Sequence, residues 1–247
     1  MNQKPLSTLP ERSRLVRLLT ELSLAKKGHT DQNLAEQLGR LIGVSDSIAL
    51  SRALGSLPSM KSNSVASSAD SVRNEILSAR QEMVRVIVAS FAVNPEGTGI
   101  QAPSVRTGTR EGALQTYEPY QRFYSMHQAE MAGSVQRLRV NVRLSVSGVS
   151  AELHQLAELD KIISESLSSH TAKLFNVTPR LLEVRFNQLL EAHLEKTGGT
   201  NNTKSSQWLM PGGWLALFYK DMQELLLAEL DVRLQPVLGM LEALNEQ

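Results

Sequence analysis

Residues 117–147 decide the fold and read YEPYQRFYSMHQAEMAGSVQRLRVNVRLSVS. Apolar residues recur through this stretch at helical spacing, and Pro119 stands near the first turn, where its missing N–H costs nothing. A projection at about 100° per residue gathers the mostly apolar residues on one arc, which predicts a long helix with one buried face. The residues on that arc are Tyr120, Phe123, Tyr124, His127, Met131, Val135, Leu138 and Val142.

The helical period continues on both sides of this segment, and strand-like alternation is scarce. Residues 149–175 carry a coiled-coil-like apolar seam, which predicts a helix that packs antiparallel on its predecessor. Further helices are predicted from Ser71 to the turn at residues 94–97, from an N-cap at Thr178, and from Trp214 to about Leu244. Loops are predicted at 97–115 and 197–207. The fold class is therefore all-α, a multi-helix bundle with long antiparallel helices and a small N-terminal helical segment.

The N-terminal part predicts shorter helices. A capping box at Thr8 and Glu11 opens one that runs to about Lys27, and two more cover about 30–43 and 45–55. Residues 38–54 resemble a helix-turn-helix, but Arg52 occupies a place that should be buried, so two small packed helices are the favoured interpretation. The predicted division is an N-terminal short-helix segment at 1–57, a Ser-rich linker at 58–70 and a long-helix bundle at 71–247.

Composition excludes several functional classes. The 247 residues include no Cys, which leaves no thiolate metal site or disulfide framework, and no apolar run long enough for a membrane span is present. We therefore expect a soluble, cytoplasmic protein without membrane insertion. The five histidines lack a metal-binding spacing, and no nucleophile elbow or phosphate loop occurs. We expect no catalytic residue, no metal and no cofactor, hence a non-enzymatic protein. A nuclease whose metal site is not visible in the sequence is kept as an alternative.

Charge divides the chain at Ser150. Residues 1–150 contain 18 Lys and Arg against 12 Asp and Glu, whereas residues 151–247 contain 8 against 13. Between residues 101 and 150 every basic residue is arginine, whose planar fork suits phosphate or carboxylate. These candidate nucleic-acid or partner-binding residues are Arg106, Arg110, Arg122, Arg137, Arg139 and Arg143. The last four are placed on one arc of the helix, opposite its apolar arc.

Three interpretations of this arginine face remain open. It could be solvated or paired with acids of the next helix, namely Glu152, Glu158, Asp160 and Glu165, or it could bind a protein or a nucleic acid. Two aromatic clusters, at 117–124 and 208–219, are interpreted as core, although Trp208 could anchor a partner.

Three stretches carry a resemblance to a known family: residues 117–143, FNVTPRLLEVRFNQLL at 175–190, and FYKDMQELLLAELDVRLQPVLGMLEAL at 218–244. With GVSDSIALSRAL at 43–54, they resemble a proteobacterial family of uncharacterised domain that supplies the ZorF component of type III Zorya anti-phage defence systems. The resemblance implies a cytosolic accessory protein acting with a ZorG-like accessory protein beside a proton-driven motor of MotA-like and OmpA-like subunits. It carries no catalytic residue onto this chain.

Two functions follow from these expectations. In the first, the arginine face engages DNA, or the protein couples the membrane motor to a partner effector. In the second, the protein is a structural adapter whose partner is a protein such as ZorG, with no nucleic-acid contact. Homo-oligomerisation is compatible with both.

Overall fold

A computed structural model describes residues 14–24, 69–92, 99–103, 116–197 and 207–247. Within these ranges the protein forms six helices and no strand, which confirms the all-α bundle. The helices are α1 (Arg14–Leu24), α2 (Ala69–Ser90), α3 (Glu118–Ser147), α4 (Ala151–Phe175), α5 (Val177–Lys196) and α6 (Trp214–Asn245). The predicted helices at 30–43 and 45–55, most of the linker at 58–70 and most of the loops at 97–115 and 197–207 lie outside the described residues.

Helix α6 is the centre of the bundle and contacts each of the other five described helices. Its sequence contains Leu225, Leu226 and Leu227 in succession, so no single face can hold all of its apolar residues. Leu225 and Leu226 are fully buried, and Leu227 packs against the same core. Pro236 lies inside the helix. Helix α6 is therefore covered on more than one side.

Helices α3 and α4 run antiparallel, as predicted. Arg139 of α3 bonds to Asp160 of α4, whereas Gln128, three turns earlier in α3, bonds to Phe175 at the end of α4. Earlier positions in α3 therefore contact later positions in α4, so the two helices run in opposite directions. Only three residues join the helices, and Ser150 caps α4 by accepting a hydrogen bond from the Leu153 N–H.

The predicted N-cap at Thr178 is wrong. Helix α5 begins at Val177, one residue after α4 ends, and Asn176 between them has helical dihedral angles of −68° and −10°. The chain therefore enters α5 without the extended residue that an N-cap requires. Thr178 is buried, and its Oγ1 has no hydrogen-bond partner among the described residues.

The two predicted aromatic clusters form one core. Tyr120 of α3 lies with its ring centroid 5.5 Å from Phe218 of α6 and 5.3 Å from Phe186 of α5. Trp208 belongs to the same core: it is buried against Trp214, with centroids 5.8 Å apart, and its carbonyl accepts from the Ala216 N–H. The hypothesis that Trp208 anchors a partner is therefore wrong, because its ring is covered by the protein itself.

Helix α1, from the predicted N-terminal segment, packs against α5 and α6 and contributes Leu15 and Leu19 to the common core. Across the described part of the chain, no helix is long and apolar enough to cross a membrane.

Candidate functional site

The predicted arginine face is divided between two environments. Arg139 and Arg143 turn towards α4 and are largely buried, whereas Arg122 and Arg137 lie on the exposed side of α3. The single arc was a wrong prediction, and the reason is geometric: residues two positions apart in a helix lie about 200° apart around its axis, so Arg137 and Arg139 cannot share a face. Arg106 and Arg110 lie outside the described residues.

Asp160 holds the two inward arginines. Arg139 donates through Nε to Oδ2 at 2.8 Å and through Nη2 to Oδ1 at 2.5 Å, and Arg143 donates through Nε to Oδ2 at 2.6 Å. The side chains of Arg139, Arg143 and Asp160 expose only 14%, 13% and 11% of their surface. Of the four acids that α4 was expected to offer, Asp160 pairs with both arginines. This part of the charge pattern therefore has a structural role.

The exposed arginines pair with acids of their own helix. Arg122 is hydrogen-bonded to Glu118, and Arg137 lies 3.7 Å from Glu130 and donates to the Ser134 hydroxyl. Both arginine side chains are more than two-thirds exposed, so these pairs contribute little to stability. Their guanidinium groups stay accessible to a partner.

Three apolar side chains share the exposed side of α3 with these arginines. Met126, Val140 and Leu144 are 50%, 40% and 71% exposed. We call the set Arg122, Met126, Arg137, Val140 and Leu144 the outer face of α3. It runs from residue 122 to residue 144, which is about 33 Å along the helix axis. No described helix covers Val140 and Leu144.

A second buried polar cluster, which the sequence analysis missed, surrounds Glu229 of α6. The carboxylate is fully buried and accepts from Tyr124 Oη at 3.1 Å, from Gln128 Nε2 at 3.0 Å and from Arg233 Nη2 at 2.6 Å. Burial, and then the adjacent Glu229 carboxylate, raise the pKa of the Tyr124 phenol, so the phenol keeps its proton and donates. The guanidinium of Arg233 also lies 3.9 Å above the Phe175 ring.

One sequence signal could have revealed this cluster. Glu229 falls on the same helical stripe as Met222, Leu225 and Leu226, where an unpaired acid would be costly, and Arg233 follows four residues later on that stripe. An acid on a core stripe with arginine at the i+4 position predicts a buried ion pair.

A cleft of about 670 Å³ lies between α3, α4 and α6. Among the described side chains of α4, none between Asp160 and Phe175 is buried. The cleft lies along this stretch, and Ile163 and Leu167 face it half-buried. Arg233 of the Glu229 cluster and Arg139 of the Asp160 cluster both line it. No carboxylate lines it within the described ranges.

His127 and Ser90 form a buried pair between α3 and α2. The His127 Nε2 lies 2.8 Å from Ser90 Oγ, and the hydroxyl donates to the Ile87 carbonyl at 2.8 Å. The imidazole must then donate to the hydroxyl oxygen, which is opposite to the arrangement that activates a serine. Burial lowers the pKa of His127 from 6.5 to about 4, so the ring is neutral at pH 7. The expectation of a core histidine is confirmed here.

Among the described side chains, no group of three or more His, Asp and Glu has an arrangement that could hold a metal ion. In the described part of the chain, the charged clusters with buried members are those around Asp160 and Glu229, and both pair carboxylates with arginines. Such clusters fix helix positions.

Comparison with known proteins places the whole sequence in one family. Neither the curated proteins nor the solved structures include a match. A family model described as "Protein of unknown function (DUF3348)" matches residues 1–246. Because that match spans nearly the entire chain, the protein belongs to the DUF3348 family.

Proposed function

We propose that this protein is a non-enzymatic adapter of a bacterial anti-phage defence system, and that it binds a partner protein through the outer face of α3. The observation that carries the proposal is that Arg139 and Arg143 both donate hydrogen bonds to Asp160. It removes two of the four α3 arginines from any surface that could meet DNA.

Binding to DNA depends on how many cations neutralise phosphates, because each contact releases condensed counterions. The described length of α3 keeps two exposed guanidiniums, at Arg122 and Arg137, and each has an acid within its own helix. A strip with two arginines and two glutamates has no net charge with which to attract a polyanion. The DNA-engaging alternative is therefore less well supported than the adapter.

The composition of the outer face suits a protein partner. Arginine and methionine are enriched at the centres of protein interfaces, and lysine is depleted there. The outer face combines two arginines with Met126, Val140 and Leu144 and contains no lysine. Its apolar members recur at helical steps along about 33 Å, which is the spacing that a second helix or a shallow groove can read.

The resemblance to the ZorF component of type III Zorya systems supports the choice of partner. A ZorG-like accessory protein is the first candidate, and a MotA-like and OmpA-like motor would be reached indirectly through it.

Co-purification with the ZorG-like protein, after nuclease treatment to remove nucleic acid, tests the proposal. Leu144→Glu together with Val140→Glu places two carboxylates on the outer face and should weaken binding by at least about a hundredfold, since both charges would be buried by the partner. Leu77→Glu is the matched control, because Leu77 is an exposed leucine on α2. Retained binding in the double variant contradicts the proposal.

A gel-shift titration over a salt series tests the DNA alternative. The informative variant is Arg122→Glu with Arg137→Glu, because both side chains are exposed and the fold does not depend on them. Changing Arg139 or Arg143 would instead disturb the buried Asp160 cluster and confuse unfolding with lost binding. Salt-sensitive DNA binding that disappears in the Arg122 and Arg137 variant would replace the adapter by the DNA-engaging function.

A further inference from the structure

The α3–α4–α6 cleft has the dimensions of a ligand site. Its volume of about 670 Å³ falls in the range of small-molecule pockets, which is about 300–1,000 Å³. Apolar side chains of all three helices, including Val135, Ile163, Leu167 and Val232, line its walls together with serine, threonine and amide side chains. Small residues of α3, Ala129 and Ala132, leave its mouth open. An occupant with an apolar body would cover these half-buried side chains.

The two ends of the cleft carry different charge. At one end Arg233 and Glu229 form a neutral pair beside Gln128. At the other end Arg139 and Arg143 share the single carboxylate of Asp160, which leaves an excess of one positive charge. Gln128 and Arg139 stand 11 residues apart on α3, or about 16 Å. The cleft is therefore elongated, apolar along its length and basic at one end.

Donors remain available at the basic end. Arg139 uses Nε and Nη2 for Asp160, so the two N–H bonds of its Nη1 are left for another acceptor. Because no carboxylate lines the cleft in the described ranges, an anionic ligand would meet no like charge on its walls.

We propose that the α3–α4–α6 cleft binds an elongated amphipathic anion of the long-chain carboxylate class, with its carboxylate at Arg139 and its alkyl chain along Ile163 and Leu167. A chain of about twelve carbons is comparable in length to the distance of about 16 Å between Gln128 and Arg139. The site is separate from the outer face of α3, because none of the outer-face residues lines the cleft.

Isothermal titration calorimetry of the full chain with dodecanoate, below its micellar concentration, tests the site. Dodecanoate should bind at one site per chain, at least about a hundredfold tighter than hexanoate because six methylenes are buried. It should also bind at least about tenfold tighter than dodecanol, which lacks the charge. Equal affinity for dodecanol, or no binding of dodecanoate, overturns the proposal and leaves the cleft to a neutral ligand or a protein segment.

Two pairs of variants locate the binding. Ala132→Phe fills the cleft from an exposed helix position and should abolish binding, whereas Ala192→Phe makes the same change at an exposed alanine of α5 away from the cleft. Gln136→Glu adds a carboxylate one turn from Arg139 and should weaken dodecanoate binding about tenfold. Gln136→Lys, at the same exposed position, should not weaken it. Unchanged affinity in Ala132→Phe, or equal loss in Ala192→Phe, overturns the proposal.

Discussion

Replacing Asp160 by Ala leaves two largely buried guanidiniums without the carboxylate that they share. Arg139 and Arg143 expose 14% and 13% of their side chains, so water can replace only part of the lost interaction. Breaking a buried ion pair by removing one partner costs about 3–5 kcal/mol, because the remaining charge is uncompensated. We expect the free energy of unfolding of Asp160→Ala to fall by that amount, a large fraction of the about 5–15 kcal/mol of a typical domain.

Urea denaturation followed by far-UV circular dichroism measures this loss. Glu130→Ala is the matched control, because Glu130 pairs with an arginine of the same helix at the surface, 3.7 Å from Arg137. It should cost less than about 1 kcal/mol. Replacing the whole cluster by apolar residues, with Arg139→Met, Arg143→Met and Asp160→Leu, should recover most of the stability. A cost below about 1 kcal/mol for Asp160→Ala, or no recovery in the triple variant, would refute this reasoning.

Two further predictions concern the core. Because burial lowers the pKa of His127 to about 4, the unfolded chain takes up a proton below pH 6.5 that the folded protein refuses. The free energy of unfolding should therefore decrease by up to about 3 kcal/mol as the pH falls from 6.5 towards 4. Urea melts at neutral and acidic pH should show a smaller decrease for His127→Gln than for the unaltered protein. Equal decreases would contradict this prediction. At Gly213 an added Cβ would lie 2.3 Å from the Trp208 carbonyl oxygen, so Gly213→Ala should destabilise by about 1–3 kcal/mol. Gly239→Ala, on the exposed side of α6 with nothing within 4 Å, should stabilise by about 0.5–1 kcal/mol, and thermal melts that shift both variants in the same direction would count against this contrast.

Helical period and punctuation were enough to predict the long helices. Pro119 and the eight-residue apolar arc placed α3 at the bounds that the structure gives, and the helix predicted from Trp214 to about Leu244 matches α6. The N-cap at Thr178 failed because a Thr-Pro pair is also compatible with an uninterrupted turn between two helices. Local sequence does not reveal whether the preceding helix has already ended.

The charged site was predicted less well than the fold. The six arginines were identified, but their partners depend on how α4 rotates against α3, which no local pattern fixes. Asp160 was one of four acids offered to them, and tertiary packing selected it. Arg233 and Glu229 were not predicted, because this pair lies on an apolar stripe and not on a polar face. The cleft could not be predicted, since it results from the spacing between α4 and its neighbours.

The central position of α6 has a consequence for folding during synthesis. This helix follows every other described helix in the chain, so a ribosome makes it last among them. Until α6 has been made, the apolar side chains of α2, α3 and α5 lack the helix against which they pack. Contacts between α1 and α6 also join residues about 200 positions apart, a separation that slows folding relative to bundles of sequential neighbours. Before α6 is made, the nascent chain therefore exposes apolar surface of the kind that chaperones bind.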